Sequence, residues 1–315
     1  MSTSKKAFYL KLVGGIALVS TLAYAAMTFS PATQPVTVMS PYAFDAGNLI
    51  DGQTKAYRPW LENGAWQGDL IEYDVSANGV RATDADVGSN PPTATGNNWM
   101  ARATFAEKES SVNDYWQQRG GNDSKRYIFT VNSDTGDQVE FLWDNLSDTQ
   151  KKALDSAEYI TNTSNKAYDS EILNFIRGDR SNEKSATGGT LRFRYSLLGD
   201  IINSNPVYIG QPEEAYVIAG YPTYKYDNRN RERRVAVGAN DGMLHVFDAT
   251  DGSEVYAYIP SMLIGKLDML AASPYRHTYF VDGELSYGSA QIAETWKSIL
   301  TGGLGAGSPG LFILD

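Results

Sequence analysis

The chain has 315 residues, 42% of them hydrophobic, with 20 Tyr, 6 Trp and no Cys. That is enough apolar material for one large or two modest domains, and the missing cysteines exclude disulfide staples and thiol chemistry. A formal net charge of −10 with no basic stripe argues against nucleic acid as a partner.

The first 25 residues read as a secretory signal peptide. Lys5, Lys6 and Lys11 form a basic start, Leu12 to Leu22 is apolar but too short to span a bilayer comfortably, and Ala23-Tyr24-Ala25 fits a small-x-small cleavage site. An uncleaved membrane anchor is the rival reading. After cleavage no transmembrane segment is expected. Residues 26–65, with Pro31, Pro35, Pro41 and Pro59, read as an extended lead-in. WQGDLIEYDV (66–75) alternates Ile71, Tyr73 and Val75 on one face and predicts the first strand. Residues 84–98 lack apolar periodicity and predict a long loop.

Arg126–Val131 and Val139–Trp143 predict a hairpin around Ser133-Asp134-Thr135-Gly136. Ser147 with Gln150 three residues on is a capping box, opening a helix to about Tyr159. A second helix is expected over Asp169–Arg177, with Ile172, Leu173, Phe175 and Ile176 as its apolar stripe. Leu191, Phe193 and Tyr195 alternate with Arg192 and Arg194, which predicts a strand. A polar turn then leads to a strand at Val207, followed by a Tyr- and Arg-rich insertion over 211–234.

Residues 240–252, NDGMLHVFDATDG, carry two Asp-Gly pairs whose glycines are ten residues apart. Gly accepts positive φ and Asp bonds its own turn backbone, so each pair marks a tight turn. With Val235–Ala239 before and Val255–Ile259 after, this is a three-strand meander. HTYFVDGEL (277–285) predicts another strand and Asp-Gly turn, and 296–315 predicts two strands around a Gly-rich turn. The total is about eleven strands, whereas a propeller of four four-stranded blades needs roughly sixteen. The fold class expected is mainly β, a partial or modified β-propeller with a small helical insertion.

The meander resembles the repeat of quinoprotein-type propellers. More narrowly, the collinear order of WQGDLIEYDV, RYIFT, FLWDNLSDTQ, ILNFIRGDRSNE, LLGDIINSNPVYIG, VAVGANDGMLHVFDATDGSEVYAYIP, YFVDGEL and WKSILTGGLGAGSPGLFILD is similar to the PilY/PilC family of type IV pilus tip-associated proteins. The resemblance covers most of 66–315 and implies an exported β-propeller at the pilus tip or outer membrane. It implies a non-enzymatic role in pilus assembly and adhesion, with pilins, minor pilins and host or abiotic surfaces as partners. Relatives carry a long N-terminal adhesive region, a propeller that continues further and a calcium loop. None of these is found in 26–315, so no cofactor or metal site is carried over and the propeller region is expected to be incomplete at its C-terminus.

Arg177-Gly178-Asp179 spells an adhesion tripeptide and is the one candidate site. The competing reading is structural: Gly178 as a helix-ending left-handed residue, with Arg177 complementing the negative helix end. Asn132, Asp134 and Asp137 match a calcium loop poorly and read as a hairpin turn. Asp200, Asn203, Ser204 and Asn205 read as loop-backbone partners. His245 and His277 lack companions for a zinc site. Gly302–Gly307 is read as a flexible hairpin and not a phosphate loop, and the tyrosines of 216–226 as either a sticky surface or packing. A pyrroloquinoline-quinone dehydrogenase and an inactive propeller fragment stay open as alternatives.

Overall fold

A computed structural model describes residues 43–45, 54–62, 66–76, 79–80, 98–119, 124–154 and 171–315. All belong to one compact unit, Val38–Asp315. The predicted signal peptide, most of the lead-in, residues 84–97 of the predicted loop and the helix extension past Leu154 lie outside the described residues.

Thirteen strands form three sheets among the described residues, none closed on itself. The first is an antiparallel meander of β1 (Ala43–Phe44), β2 (Lys55–Glu62), β3 (Gln67–Ser76) and β4 (Gly79–Val80). β3 is the strand expected at 66–75. Its partner β2 lies inside the stretch read as lead-in and pairs with β3 from Lys55↔Asp74 to Glu62↔Gln67. Helix α1 (Ala101–Ser111) follows, and its first turn has no local side-chain cap. The cap comes from β3: Asp69 Oδ1 accepts from the backbone N of Arg102 at 2.9 Å and of Leu70 at 2.8 Å. That satisfies an orphan helix N–H through a tertiary contact.

The central sheet runs β6 (Gln138–Glu140), β5 (Ile128–Val131), β10 (Glu254–Tyr258), β9 (Leu244–Asp248), β8 (Arg234–Gly238), β7 (Val207–Ile209). Strands β7 to β10 are a consecutive antiparallel meander, and β5 joins it parallel to β10. Gly242 and Gly252 turn the chain at φ +97° and +71°, a region closed to most side chains. In each turn Asp accepts from the backbone two residues on, Asp241 from Met243 and Asp251 from Ser253.

Both faces of this sheet are covered, which is why β8 reads as a continuous apolar run. Ala236, Leu244 and Val246 pack with the stripes of α2 (Asp148–Leu154) and α3 (Glu171–Arg177) and with Leu263, Ile264 and Leu267 of a 3₁₀ segment (Ser261–Leu270). Their odd neighbours Val235, Val237 and Phe247 pack with Phe105 of α1, Leu70 and Tyr57. The capping box of α2 is reciprocal: Gln150 N donates to Ser147 Oγ at 3.1 Å, and Ser147 N to Gln150 Oε1 at 3.0 Å.

The third sheet is β11 (Leu285–Ile292), β12 (Thr295–Gly303) and β13 (Leu311–Leu314), again an antiparallel meander. Helix α4 (Tyr221–Asp227) lies in the insertion.

Three expectations need correcting. Residues 191–195 are not a strand; Leu191 is buried as expected, but beyond it the alternation is inverted. Arg194 turns inward to Glu183, while Phe193 and Tyr195 are 44% and 72% exposed. The strand expected within 277–281 is instead an irregular crossing segment, buried at Phe280 and Val281. Phe280 N donates to Asn240 Oδ1, Val281 N to the Ala239 carbonyl and Asp282 N to the Leu304 carbonyl, three partners that make no ladder. The Gly-rich hairpin is packed, not loose: Gly307 is buried and its carbonyl accepts from Lys266 Nζ at 2.7 Å.

Candidate functional site

The densest polar assembly lies under the 240–252 meander. Parallel pairing of β5 with β10, Ile128 opposite Ala257, brings Arg126 and Glu254 to the same end of the sheet. Their ion pair is bidentate, Nε to Oε2 at 2.7 Å and Nη2 to Oε1 at 2.8 Å, and both side chains are 1% exposed. Glu254 Oε1 also contacts His245 Nδ1 at 2.8 Å, and His245 Nε2 reaches both oxygens of Asp241 at 3.0 and 3.1 Å. Asp241 Oδ2 accepts from Gly199 N at 2.7 Å. The imidazole is fully buried, stacked on Phe247 and edge-on to Phe105.

Burial alone would lower the His245 pKa. The carboxylates of Asp241 and Glu254 outweigh it and raise it to about 9. Burial would raise Glu254, but Arg126 and His245 hold it down to about 2. The four side chains therefore alternate in sign, and both ring nitrogens are used by carboxylates. This arrangement fixes strand register and ties three loops together; its imidazole has no ring nitrogen left for proton transfer to a substrate.

The tripeptide is built into the same assembly. Arg177, 1% exposed, donates to the carbonyls of Trp116 and Phe141, each at 2.9 Å, and to Glu140 Oε1 at 3.2 Å, while its own carbonyl accepts from Arg126. Gly178, at φ +128°, ends α3, with its N–H and that of Asp179 both returned to the Asn174 carbonyl. Asp179 is half-buried and its Oδ1 accepts from Ser181 N at 2.8 Å. So Arg177 faces inward and only Asp179 reaches the surface.

The other candidates resolve into loop chemistry. Asn132 Oδ1 accepts from the backbone of Asp134 and Thr135 within the hairpin turn. Asp200 accepts from Asn240 Nδ2 and lies 2.8 Å from His277 Nε2, and Asn203 bonds Asp282. Ser204 Oγ accepts from Gly238 N. No group of three or more acidic or histidine side chains that could hold a metal occurs among the described residues. No described helix is long and apolar enough to cross a membrane.

The insertion provides an exposed surface. Trp296 of β12 is its platform: Tyr216 stacks on it at 5.5 Å, Tyr221 meets it edge-on at 4.8 Å, and its Nε1 donates to the Ala219 carbonyl. Glu214 clamps the base, accepting from Tyr221 Oη at 2.5 Å and Ser289 N at 2.7 Å. On this rigid base Val217 is fully exposed, with Ile218 and Tyr226 at 50% and 63%. The tyrosines thus do both things the sequence allowed, Tyr221 packing and Tyr226 facing outward. The sequence signal for this surface is Val217-Ile218, an apolar pair inside a polar insertion.

Residues 198–315 match the family model of the PilY1 beta-propeller domain. A type IV pilus biogenesis factor PilY1 homolog of Xylella fastidiosa strain Temecula1 is 35% identical over 269 residues, covering 82% of this chain and 18% of that protein. The type IV pilus biogenesis factor PilY1 of Pseudomonas aeruginosa strain PAK is 33% identical over 296 residues, covering 90% and 23%. That of strain UCBPP-PA14 is 28% identical over 260 residues, covering 79% and 20%. The chain thus spans between 18% and 23% of the length of these relatives. No solved structure matches. Collinear motifs, the domain match and identity across most of the chain lead to one conclusion: the chain belongs to the PilY/PilC family, whose matched relatives are type IV pilus biogenesis factors.

Proposed function

We propose that the chain is a non-enzymatic type IV pilus biogenesis factor. In this reading it is exported, acts in the periplasm or at the outer membrane and pilus tip, and contacts a pilin or minor pilin. Surface adhesion follows from that position. The consecutive antiparallel meanders are read as propeller blades, whose role is to hold the contact surface rigid. No calcium or quinone enters this reading.

The observation that carries it is the Val217–Ile218–Tyr226 surface. Apolar side chains held out on a stacked aromatic base lose little conformational freedom when a partner covers them, which is what a protein contact needs. The polar groups of the meander point the same way, being committed to one another under the sheet.

The test is complementation. Cells lacking the gene are given the intact gene or a Val217→Asp/Tyr226→Asp form, and pilin sheared from the surface is quantified. The intact gene should restore piliation and the double variant should not, at equal protein level. Piliation that survives loss of the gene would end the proposal.

A further inference from the structure

A second site lies away from the insertion, at the corrected segment 191–199. There a cavity of about 370 Å³ is lined by Trp66, Gln67, Arg192, Phe193, Tyr195 and Tyr275. Its size falls in the range of small-ligand clefts.

The charges around it are spent, with one exception. Arg194 is held by Glu183 and by the carbonyls of Phe175 and Asp179. Asp241 is held by His245 and Gly199. Arg192 sits over the Tyr275 ring, its Cζ 3.9 Å from the centroid, and forms no ion pair among the described residues. Its Nε is buried without an acceptor. Burial lowers its pKa, with Tyr275 and Asp200 opposing, and Asp200 is already engaged by Asn240 and His277. Gln67, also in the lining and 8% exposed, spends its amide nitrogen on Glu62 and leaves Oε1 buried without a donor.

An unpaired buried donor and acceptor are both costly, and a ligand that answers both relieves both. A guanidinium without an ion-pair partner asks for a carboxylate or phosphate. The Gln67 acceptor asks for an N–H and disfavours a bare anion. Four aromatic rings ask for an apolar or aromatic side chain. One chemistry combines the three. We infer that this cavity binds a peptide carboxylate, with the carboxylate on Arg192, a neighbouring amide N–H on Gln67 Oε1 and the adjacent side chain against Trp66, Tyr195 and Tyr275. The carboxylate can come from a chain terminus or from an acidic side chain. This site stands on the cavity alone and does not depend on the pilus reading.

The test is calorimetric titration of the full chain with four probes: N-acetyl-Ala-Phe with a free carboxylate, the same dipeptide as its amide, N-acetyl-Glu-Phe amide, and glucuronate. Binding of the first alone identifies a chain terminus, and binding of the first and third, or of the third alone, includes an acidic side chain; the plain amide should be silent. Arg192→Gln should weaken binding about tenfold to a hundredfold, the loss of one charge-assisted pair, and Arg192→Lys should restore part of it. Tyr195→Ala, at the exposed rim, should weaken it without touching the core. Silence of both carboxylate peptides, binding of glucuronate alone, or undiminished binding by a folded Arg192→Gln chain would overturn the inference.

Discussion

The β8–β10 meander and the β11–β12 ribbon are both antiparallel, yet they distribute polar and apolar groups in opposite ways. Under the meander, Arg126, Glu254 and His245 are buried at 1%, 1% and 0% exposure. On the ribbon the polar groups hold the insertion from the side, and Ile292 of the ribbon with Val217 and Ile218 of the insertion stand in water. A buried charge pair is an expensive way to gain stability, because desolvation consumes most of the Coulomb gain. It does select one register, since a slip of β5 along β10 would leave each charge alone. The comparison teaches that the meander is built for a single geometry, and the ribbon for presenting a surface.

The largest effect should come from breaking the buried chain of charges. Glu254→Ala leaves Arg126 without its ion-pair partner and removes one of the two carboxylates that hold His245, and should cost about 3–5 kcal/mol in urea unfolding. A cost below about 1 kcal/mol would mean that the cluster is hydrated and that the contrast with the ribbon is false. Next in size is the pH response. His245 has a folded pKa of about 9, above its ordinary 6.5, so its contribution is full below pH 6.5 and lost as pH rises through 9. Its size is about 3 kcal/mol. Asp69, raised to about 7 by burial, also loses stability with rising pH, so the informative quantity is the difference between the intact chain and His245→Gln. That difference should shrink between pH 6.5 and 9. A difference that stays flat would show that His245 is neutral in the fold.

The ribbon predicts the opposite sign. Ile292 pairs with Thr295, so the hairpin loop is Ala293-Glu294, with φ of +47° and +67°. Such two-residue turns favour Asn-Gly, and non-glycine residues there store strain. Glu294→Gly should therefore stabilise the chain by about 1 kcal/mol. A thermal melt that moves down would place the loop's strain elsewhere.

That turn also shows where the sequence was legible and where it was not. Asp241-Gly242, Asp251-Gly252 and the Ser147–Gln150 box act through local backbone chemistry, so they could be read directly and the structure has them in place. The ribbon turn has no Gly, Asn or Pro, so β11 over Leu285–Ile292 went unread. At 191–195 the period of two was present, but the chain returning from Glu183 sets a carboxylate against Arg194, and that ion pair, which periodicity does not encode, reverses the faces beyond Leu191. The buried cluster was illegible for the same reason, because Arg126 and Glu254 are 128 residues apart. Of the exposed surface on the insertion, the tyrosines were visible in the sequence, but not their platform at Trp296.

The smallest expected effect concerns the tripeptide, and it separates the two regions most directly. Arg177 belongs to the meander's buried assembly, fixed by Trp116, Phe141 and Glu140, so it cannot reach a receptor while α3 stays folded. Asp179 is partly accessible but spends Oδ1 on the Ser181 backbone. Asp179→Glu keeps the charge and lengthens the side chain, which should change stability by less than about 0.5 kcal/mol, as for most surface positions. Attachment of cells in a plate assay should be unchanged, whereas Val217→Asp on the ribbon side should reduce it. If Asp179→Glu abolished attachment and Val217→Asp did not, recognition would have to run through a turn whose arginine is released from the core. The meander would then be the mobile partner of the two regions and the ribbon the inert one.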